Sequence, residues 1–205
     1  MLSELNKIKN ELIQNMNKSL ELINRINKIS HMLSPSEIYS IYELSFLKIY
    51  LSWESFIGRV FILYMIGEKT DSGYVPKRYV TPRDEKHAYD IIKSGRSFPD
   101  WLNIEFIREK SELFFENGEP FKPLLYTNTT IKGALQNMKV LRNIIAHASK
   151  EAEGKYKNML RVELGSAPNI SPGEFLSRMR IENPKIPYIV YYKRILEVAS
   201  NGIVR

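Results

Sequence analysis

Three polar side chains in one short segment have the residue types that phosphodiester chemistry requires. The segment reads Arg142-Asn143-Ile144-Ile145-Ala146-His147. A histidine side chain ordinarily titrates near pH ~6.5, so an imidazole can move the proton of a 2′-hydroxyl or of a leaving oxygen. Arginine keeps its charge and offers paired donors, which suit the negative charge that builds on phosphate oxygens in the transition state. The segment therefore has the groups for RNA cleavage without a metal ion.

Helical spacing places these side chains on one rim of a helix. Asn143 and His147 are four residues apart and share a face, while Arg142 lies about 100° round from Asn143. A long arginine can bridge that angle, and Ile144 and Ile145 would point toward the helical bundle. A simpler interpretation also fits, in which Arg142 makes a surface ion pair and His147 interacts with the terminal carbonyls of the helix. Spacing alone leaves both interpretations open.

Other classes of active site lack their residues in this sequence. The chain has no cysteine, which excludes disulfides, thiolate metal sites and a cysteine nucleophile. Its histidines, His31, His87 and His147, are too scattered for a zinc motif. A glycine-rich phosphate loop, a dinucleotide fingerprint and a serine nucleophile between glycines are also missing. We therefore expect neither a cofactor nor a metal.

The composition is that of an ordinary globular domain with a basic surplus. Hydrophobic residues make up 43% and charged residues 26% of the 205 residues, which predicts a single domain over residues 1–205. The formal net charge of +7 favours a polyanionic partner such as RNA, although a solvated basic surface explains it as well. The lack of cysteine is compatible with a cytoplasmic location. The polar start differs from a secretory signal, and the longest apolar run, residues 60–66, is shorter than the about 20 residues of a membrane span.

Two long helices are predicted in the first third of the chain. Apolar residues at three- and four-residue spacing indicate one over residues 2–33. Ser34-Pro35-Ser36-Glu37 then has the pattern of a capping box, so a second helix begins there. This helix can continue over residues 35–66, and its almost all-round apolar character from Val60 onward predicts that it is central and deeply buried.

Shorter helices are predicted in the middle of the chain. Thr81-Pro82-Arg83-Asp84 indicates the start of a helix that ends near Gly95. Asp100 or Asn103 can cap a further helix, which Asn117-Gly118 ends.

The helix that carries the polar segment follows a stretch predicted to be extended, residues 120–125. Any of residues 127–129, two threonines and an asparagine, can cap it. Beyond the segment, residues 149–160 are predicted to be helical and solvated. A short helix follows the cap Ser171-Pro172-Gly173-Glu174, and residues 188–199 have the spacing of a last amphipathic helix. The predicted fold class is all-α: a helical bundle with a long central helix and long inter-helix loops.

The polar segment resembles the signature of the HEPN superfamily, and within it the RiboL-PSP-HEPN type. That signature is an arginine followed, after four to six residues, by a histidine, and residues 142–149 match it. Weaker similarities lie in the segment Leu51-Ser52-Trp53-Glu54-Ser55-Phe56-Ile57, in Phe98-Pro99-Asp100-Trp101, in Pro120-Phe121 and in Pro172-Gly173-Glu174-Phe175-Leu176. The similarity covers roughly residues 40–203. The predicted single domain therefore consists of an N-terminal helix, residues 1–33, which precedes the similarity, and residues 34–205, which contain it.

The resemblance implies an endoribonuclease that works as a homodimer. Arg142 and His147 of two copies would face one RNA groove, and cleavage would leave a 2′,3′-cyclic phosphate. Members of the family occur in toxin–antitoxin, abortive-infection and other antiphage systems. A toxin or defence role is therefore expected, with an antitoxin or another defence protein as a candidate partner.

Glu54 completes the set of candidate site residues, with Arg142, Asn143 and His147. Its neighbours Trp53, Phe56 and Ile57 are apolar, so a carboxylate among them needs a partner, and Arg142 is the candidate. Glu54 would then orient the arginine or the histidine; an ordinary structural ion pair or a surface position is the alternative. Two other functions also fit the sequence, a catalytically silent HEPN module that binds RNA or a protein partner and a purely structural helical dimer.

Overall fold

The computed structural model describes residues 2–93 and 97–205, and these residues form an all-α structure. Strand pairing among them is limited to two isolated β-bridges, Arg78 with Phe115 and Met179 with Pro187. The predicted all-α class is confirmed. The α-helices of the described residues are α1 (Glu4–Lys28), α2 (Pro35–Ile66), α3 (Glu85–Lys93), α4 (Ile104–Phe114), α5 (Thr129–Ala146), α6 (Lys150–Leu164), α7 (Pro172–Ser177) and α8 (Tyr188–Ile203).

The long helix α2 begins and ends where the sequence predicts. Its capping box is formed, because the Glu37 backbone N–H donates to Ser34 Oγ at 3.3 Å and the Ser34 N–H donates to Glu37 Oε2 at 2.8 Å. The helix also contains an 18-residue window with a mean hydropathy of 1.3, apolar enough by length and composition to cross a membrane. Of that window, 61% is buried inside the protein, as in the core helix of a globular fold.

Helix α1 is amphipathic and packs against α2, but it is shorter than the predicted 2–33. It ends at Lys28, and Ser30–Met32 form a single 3₁₀ turn without a buried residue. Apolar residues continue at helical spacing through this turn, but none of the turn's side chains is buried. The chain therefore leaves the helix where burial stops stabilising it.

The chain divides into two compact units, and several helices contribute to both. Unit 1 comprises Met1–Ile13, Ser52–Leu135 and Leu196–Arg205. Unit 2 comprises Gln14–Leu51 and Gln136–Ile195. The single domain over residues 1–205 stays a prediction.

The core of unit 1 is an aromatic cluster around Phe61 of α2. The Phe61 ring stacks on Phe121 at 4.7 Å between centroids and lies 5.1 Å from Phe115 and 5.3 Å from Trp101. Gly58, one helical turn before Phe61, allows this arrangement, because a Cβ there would lie 2.8 Å from Trp101 Nε1. Arg59 faces outward and pairs with Glu11 of α1 at 2.7 Å.

Helix α7 docks closely against α2 in unit 2. The Gly173 backbone N–H donates to Glu43 Oε1 at 2.8 Å, and a Cβ on Gly173 would overlap the Tyr39 carbonyl. Next to it, Phe175 stacks on Tyr188 of α8 with 4.1 Å between ring centroids. Only glycine allows the two backbones to approach this closely.

Two further sequence predictions about local structure are wrong. Residues 120–125 are not extended: Lys122–Thr127 form a π-helix, because Phe121 and Leu125, four residues apart, are both buried. Residues 149–160 are helical but not fully solvated, since Ala152, Tyr156, Met159 and Leu160 are buried. In both segments tertiary packing outweighs the local sequence pattern.

The helix caps follow the predictions closely. Asn103 and Asn128 accept hydrogen bonds from the Glu105 and Ile131 backbone N–H groups, at 3.2 Å and 3.1 Å. Helix α3 begins after Asp84, later than Thr81, and its predicted end near Gly95 lies outside the described residues.

Candidate functional site

The polar segment lies at a sharp reversal between α5 and α6, within unit 2. Helix α5 ends at Ala146, and the backbone N–H of His147 still donates to the Asn143 carbonyl at 2.9 Å. The Ser149 N–H then donates to the His147 carbonyl at 2.7 Å, and Ser149 Oγ caps α6 by accepting from the Ala152 N–H at 3.2 Å. Three residues, 147–149, therefore turn the chain from one helix into the next.

Contacts away from the reversal hold α5 and α6 together. Asn137 Nδ2 donates to Glu163 Oε1 at 2.6 Å, which links the middle of α5 with the end of α6. Met138 and Leu141 of α5 and Leu160 of α6 are buried. Helices α5 and α6 therefore pack as a pair, and this packing fixes the position of the polar face of α5.

A surface concavity of about 240 Å³ lies at this reversal. Asn143 and His147 both face it, as their four-residue spacing predicts. Its lining among the described residues consists of Val140, Asn143, His147, Ser149, Glu151, Ala152 and Lys155. It is smaller than the ~300–1,000 Å³ of typical small-molecule pockets, so it suits one part of a large ligand.

Arg142 is outside the lining of the concavity but contacts Asn143, which belongs to it. Its Nη1 donates to Asn143 Oδ1 at 3.3 Å, so the long side chain spans the angle between the two helical positions. Arg142 and Asn143 are half-buried, whereas His147 is exposed. Asn143 therefore contacts Arg142 and shares the concavity with His147.

The apolar residues of the segment are less buried than the sequence predicts. Ile144 and Ile145 are only half-buried, whereas Leu141 is fully buried. The reason is their place in the last turn of α5, where the helix extends beyond the core. This end of the helix presents a mixed polar and apolar surface.

Glu54 lies in a different unit from the other three candidates. It occupies α2 between the buried Trp53 and the exposed Ser55, and it is half-buried itself. Glu54 belongs to unit 1, and Arg142 and His147 belong to unit 2. Its role in orienting the arginine or the histidine stays a prediction.

Two charged residues of the concavity are absent from the sequence-based set. Lys155 Nζ lies 2.6 Å from Glu151 Oε1, one turn apart on α6. The hydrogen bond from Lys155, followed by its charge, lowers the pKa of Glu151 below the usual range, so the carboxylate is ionised at neutral pH. The Glu151–Lys155 spacing and the Ser149 cap can be recognised in the sequence. The sequence does not show that α6 folds back against the end of α5.

The remaining histidines lie elsewhere. His31 is exposed in the turn after α1, and His87 Nδ1 in α3 accepts the Arg83 backbone N–H at 3.2 Å. Within residues 2–93 and 97–205, no three His, Asp or Glu side chains are grouped so as to hold a metal ion. Chelation with EDTA tests whether the protein needs a metal ion.

Comparison with protein-family models, curated proteins and solved structures finds no match to this chain.

Proposed function

We propose that this protein is an endoribonuclease that cleaves RNA by attack of a 2′-hydroxyl, with Arg142 and His147 as catalytic residues. The observation that carries the proposal is the joint position of Asn143 and His147 in one concavity, with the Arg142 guanidinium hydrogen-bonded to Asn143. The similarity of residues 142–149 to the HEPN signature supports the same function. The fold class is also the one that this resemblance implies.

The chemistry is a transesterification with balanced proton transfers. The 2′-oxygen forms a bond to phosphorus while the bond from phosphorus to the 5′-oxygen breaks. One proton leaves the 2′-hydroxyl and one is taken up by the 5′-oxygen, and an exposed imidazole such as that of His147 can perform either transfer. Arg142 stabilises the charge that develops on the phosphate oxygens, and Asn143 holds the guanidinium in position. The products are a 2′,3′-cyclic phosphate and a 5′-hydroxyl.

A second copy of the chain would complete the site. One His147 supplies one proton carrier, whereas the reaction profits from both an acid and a base. A two-fold interface places the same residues on both sides of one axis, so two copies of Arg142 and His147 can line a single groove. Dimerisation also doubles the formal net charge of +7, which strengthens the attraction for RNA.

The biological setting that we propose is a toxin or antiphage effector in the cytoplasm. The proposal rests on the HEPN resemblance and on the absence of cysteine. An antitoxin or another defence protein is the proposed regulatory partner.

The direct test is to incubate the purified protein with RNA in EDTA and to analyse the fragment ends. We expect cleavage to continue under chelation and to leave 2′,3′-cyclic phosphates, because the proposed mechanism uses only the side chains of Arg142 and His147 for charge stabilisation and proton transfer. A strict requirement for magnesium or manganese, or fragments with 3′-hydroxyl ends, would reject this mechanism.

A further inference from the structure

The concavity beside His147 contains a cation that the Arg142–His147 segment does not include. Lys155 extends from the second turn of α6 into the same lining as Asn143 and His147. Its ammonium lies 2.6 Å from Glu151 Oε1, and the two side chains remain 59% and 77% exposed. An exposed pair of this kind contributes little to stability, so it exchanges readily with another anion.

We propose that Lys155 binds a phosphate of single-stranded RNA and that Glu151 occupies its ammonium when RNA is absent. The proposal rests on the ribonuclease function above, and it adds a substrate-binding residue to that site. A phosphodiester carries the same negative charge as the Glu151 carboxylate and offers equivalent acceptor oxygens. When RNA enters, its phosphate replaces Glu151 as the partner of Lys155, and the carboxylate turns to solvent.

Position also favours this role for Lys155. Asn143 and His147 approach the concavity from the end of α5, and Glu151 and Lys155 approach it from the start of α6. A nucleic-acid backbone has one charge per nucleotide, so a strand held at His147 brings further phosphates close to the concavity. Lys155 is the cation in the lining that can bind one of them.

Helix α6 also provides a matched control pair. Glu153 and Lys157 have the same charges, the same four-residue spacing and the same helix as Glu151 and Lys155, and both are exposed. They lie about 200° round the helix from the first pair and are outside the lining described above. Substitution of either pair changes the net charge of the protein equally, so long-range electrostatic effects cancel in the comparison.

The experiment measures binding of a short single-stranded oligonucleotide in which every ribose is 2′-O-methylated and which therefore cannot be cleaved through the 2′-oxygen. Lys155→Gln should weaken binding roughly tenfold relative to Lys157→Gln. It should also reduce the slope of log affinity against log salt by about 0.7, the contribution of one single-strand phosphate contact. Glu151→Gln should tighten binding roughly threefold relative to Glu153→Gln, because it releases the ammonium.

The double variant Glu151→Gln with Lys155→Gln distinguishes competition from simple charge. If Glu151 acts by occupying Lys155, the double variant binds like Lys155→Gln alone, so the two effects are not additive. Additive effects, equal binding by Lys155→Gln and Lys157→Gln, or no binding by the wild-type protein at low salt would overturn the proposal.

The two proposals fail separately. If the wild-type protein binds the oligonucleotide through Lys155 but never cleaves RNA, the ribonuclease function is wrong and the phosphate site remains. If RNA is cleaved while Lys155→Gln behaves like Lys157→Gln, the ribonuclease function remains and the Lys155 site is wrong. For the cleaved substrate, Lys155→Gln should raise KM more than it lowers kcat, because a binding contact is lost rather than a proton carrier.

Discussion

The proposed mechanism depends on how Arg142 is held next to Asn143. The guanidinium donates to Asn143 Oδ1, and Asn143 in turn shares the concavity with His147. An amide acceptor fixes the direction of the guanidinium without neutralising it, as a carboxylate would. In the proposed mechanism, the arginine charge then stabilises the phosphate oxygens.

Substitutions of Arg142 should distinguish the contribution of its charge to the cleavage rate from the contribution of its paired donors. Arg142→Ala should reduce kcat by about 10²–10³, in line with the loss of one transition-state donor. Arg142→Lys should recover only part of the rate, because a lysine keeps the charge but loses the paired donors. Single-turnover cleavage rates measure both effects.

The matched control for Arg142 is Arg161→Ala, which removes an exposed arginine of α6 that hydrogen-bonds to Asn158. It should cleave like the wild type. Equal activity of Arg142→Ala and Arg161→Ala would remove Arg142 from the mechanism.

At the residue scale, the sequence predicts the α5 contribution to the site and misses the α6 contribution. The four-residue spacing places Asn143 and His147 together because both belong to the last turn of one helix and its continuation. Lys155 reaches the same concavity through a chain reversal, which depends on packing of Tyr156 and Leu160. Such packing is a long-range property that a local pattern does not display.

At the scale of the elements, some helix bounds are set by local caps and others by burial against distant segments. Sequence signals predict the start of α2 because Ser34 and Glu37 form a local capping box. They fail for Lys122–Thr127, where proline suggests an extended chain but burial of Phe121 and Leu125 imposes a helix. Local hydrogen bonds can be predicted from the sequence, whereas burial by distant segments cannot.

The capping box gives α2 a pH-dependent contribution to stability. Hydrogen bonds from the Ser34 hydroxyl and backbone lower the pKa of Glu37 below its usual range. Since the folded pKa is lower than the unfolded pKa, this stabilisation is present above the unfolded pKa and is lost as the pH falls through the folded pKa. Glu37→Gln keeps a capping-box side chain but removes the titration.

Melting temperatures of the wild type and Glu37→Gln, measured across a pH series, test this contribution. The wild type should have the higher Tm at neutral pH, and the difference should vanish in strong acid. A Tm difference that does not change with pH would contradict the assigned role of the carboxylate.

Close approach of α7 to α2 predicts a large effect of one methyl group. Gly173→Ala should destabilise the protein by about 1–3 kcal/mol, because the new Cβ overlaps the Tyr39 carbonyl. Chemical denaturation measures the change. The control is Gly154→Ala in α6, where the Cβ meets nothing within 4 Å and helix propensity should stabilise by about 0.5–1 kcal/mol. A harmless Gly173→Ala would show that the α2–α7 contact is looser than described.

Within the described part of the chain, the concavity contains one histidine, His147, and under the proposed mechanism this is the physical argument for a dimer. Light scattering should report about twice 23.9 kDa. Cleavage activity per chain should fall on dilution, in parallel with dissociation, since the composite groove needs both copies. A monomer that cleaves as fast per chain as the concentrated protein would contradict the composite site.

The central claim is that His147 moves the proton during RNA cleavage, and one comparison tests it most directly. Wild type, His147→Ala and the control His31→Ala, which changes another exposed histidine, are incubated with the same RNA in EDTA. We predict equal cleavage by wild type and His31→Ala, and a loss of about 10²–10⁴ in rate for His147→Ala with unchanged Tm. Cleavage by purified His147→Ala at the wild-type rate would contradict the mechanism.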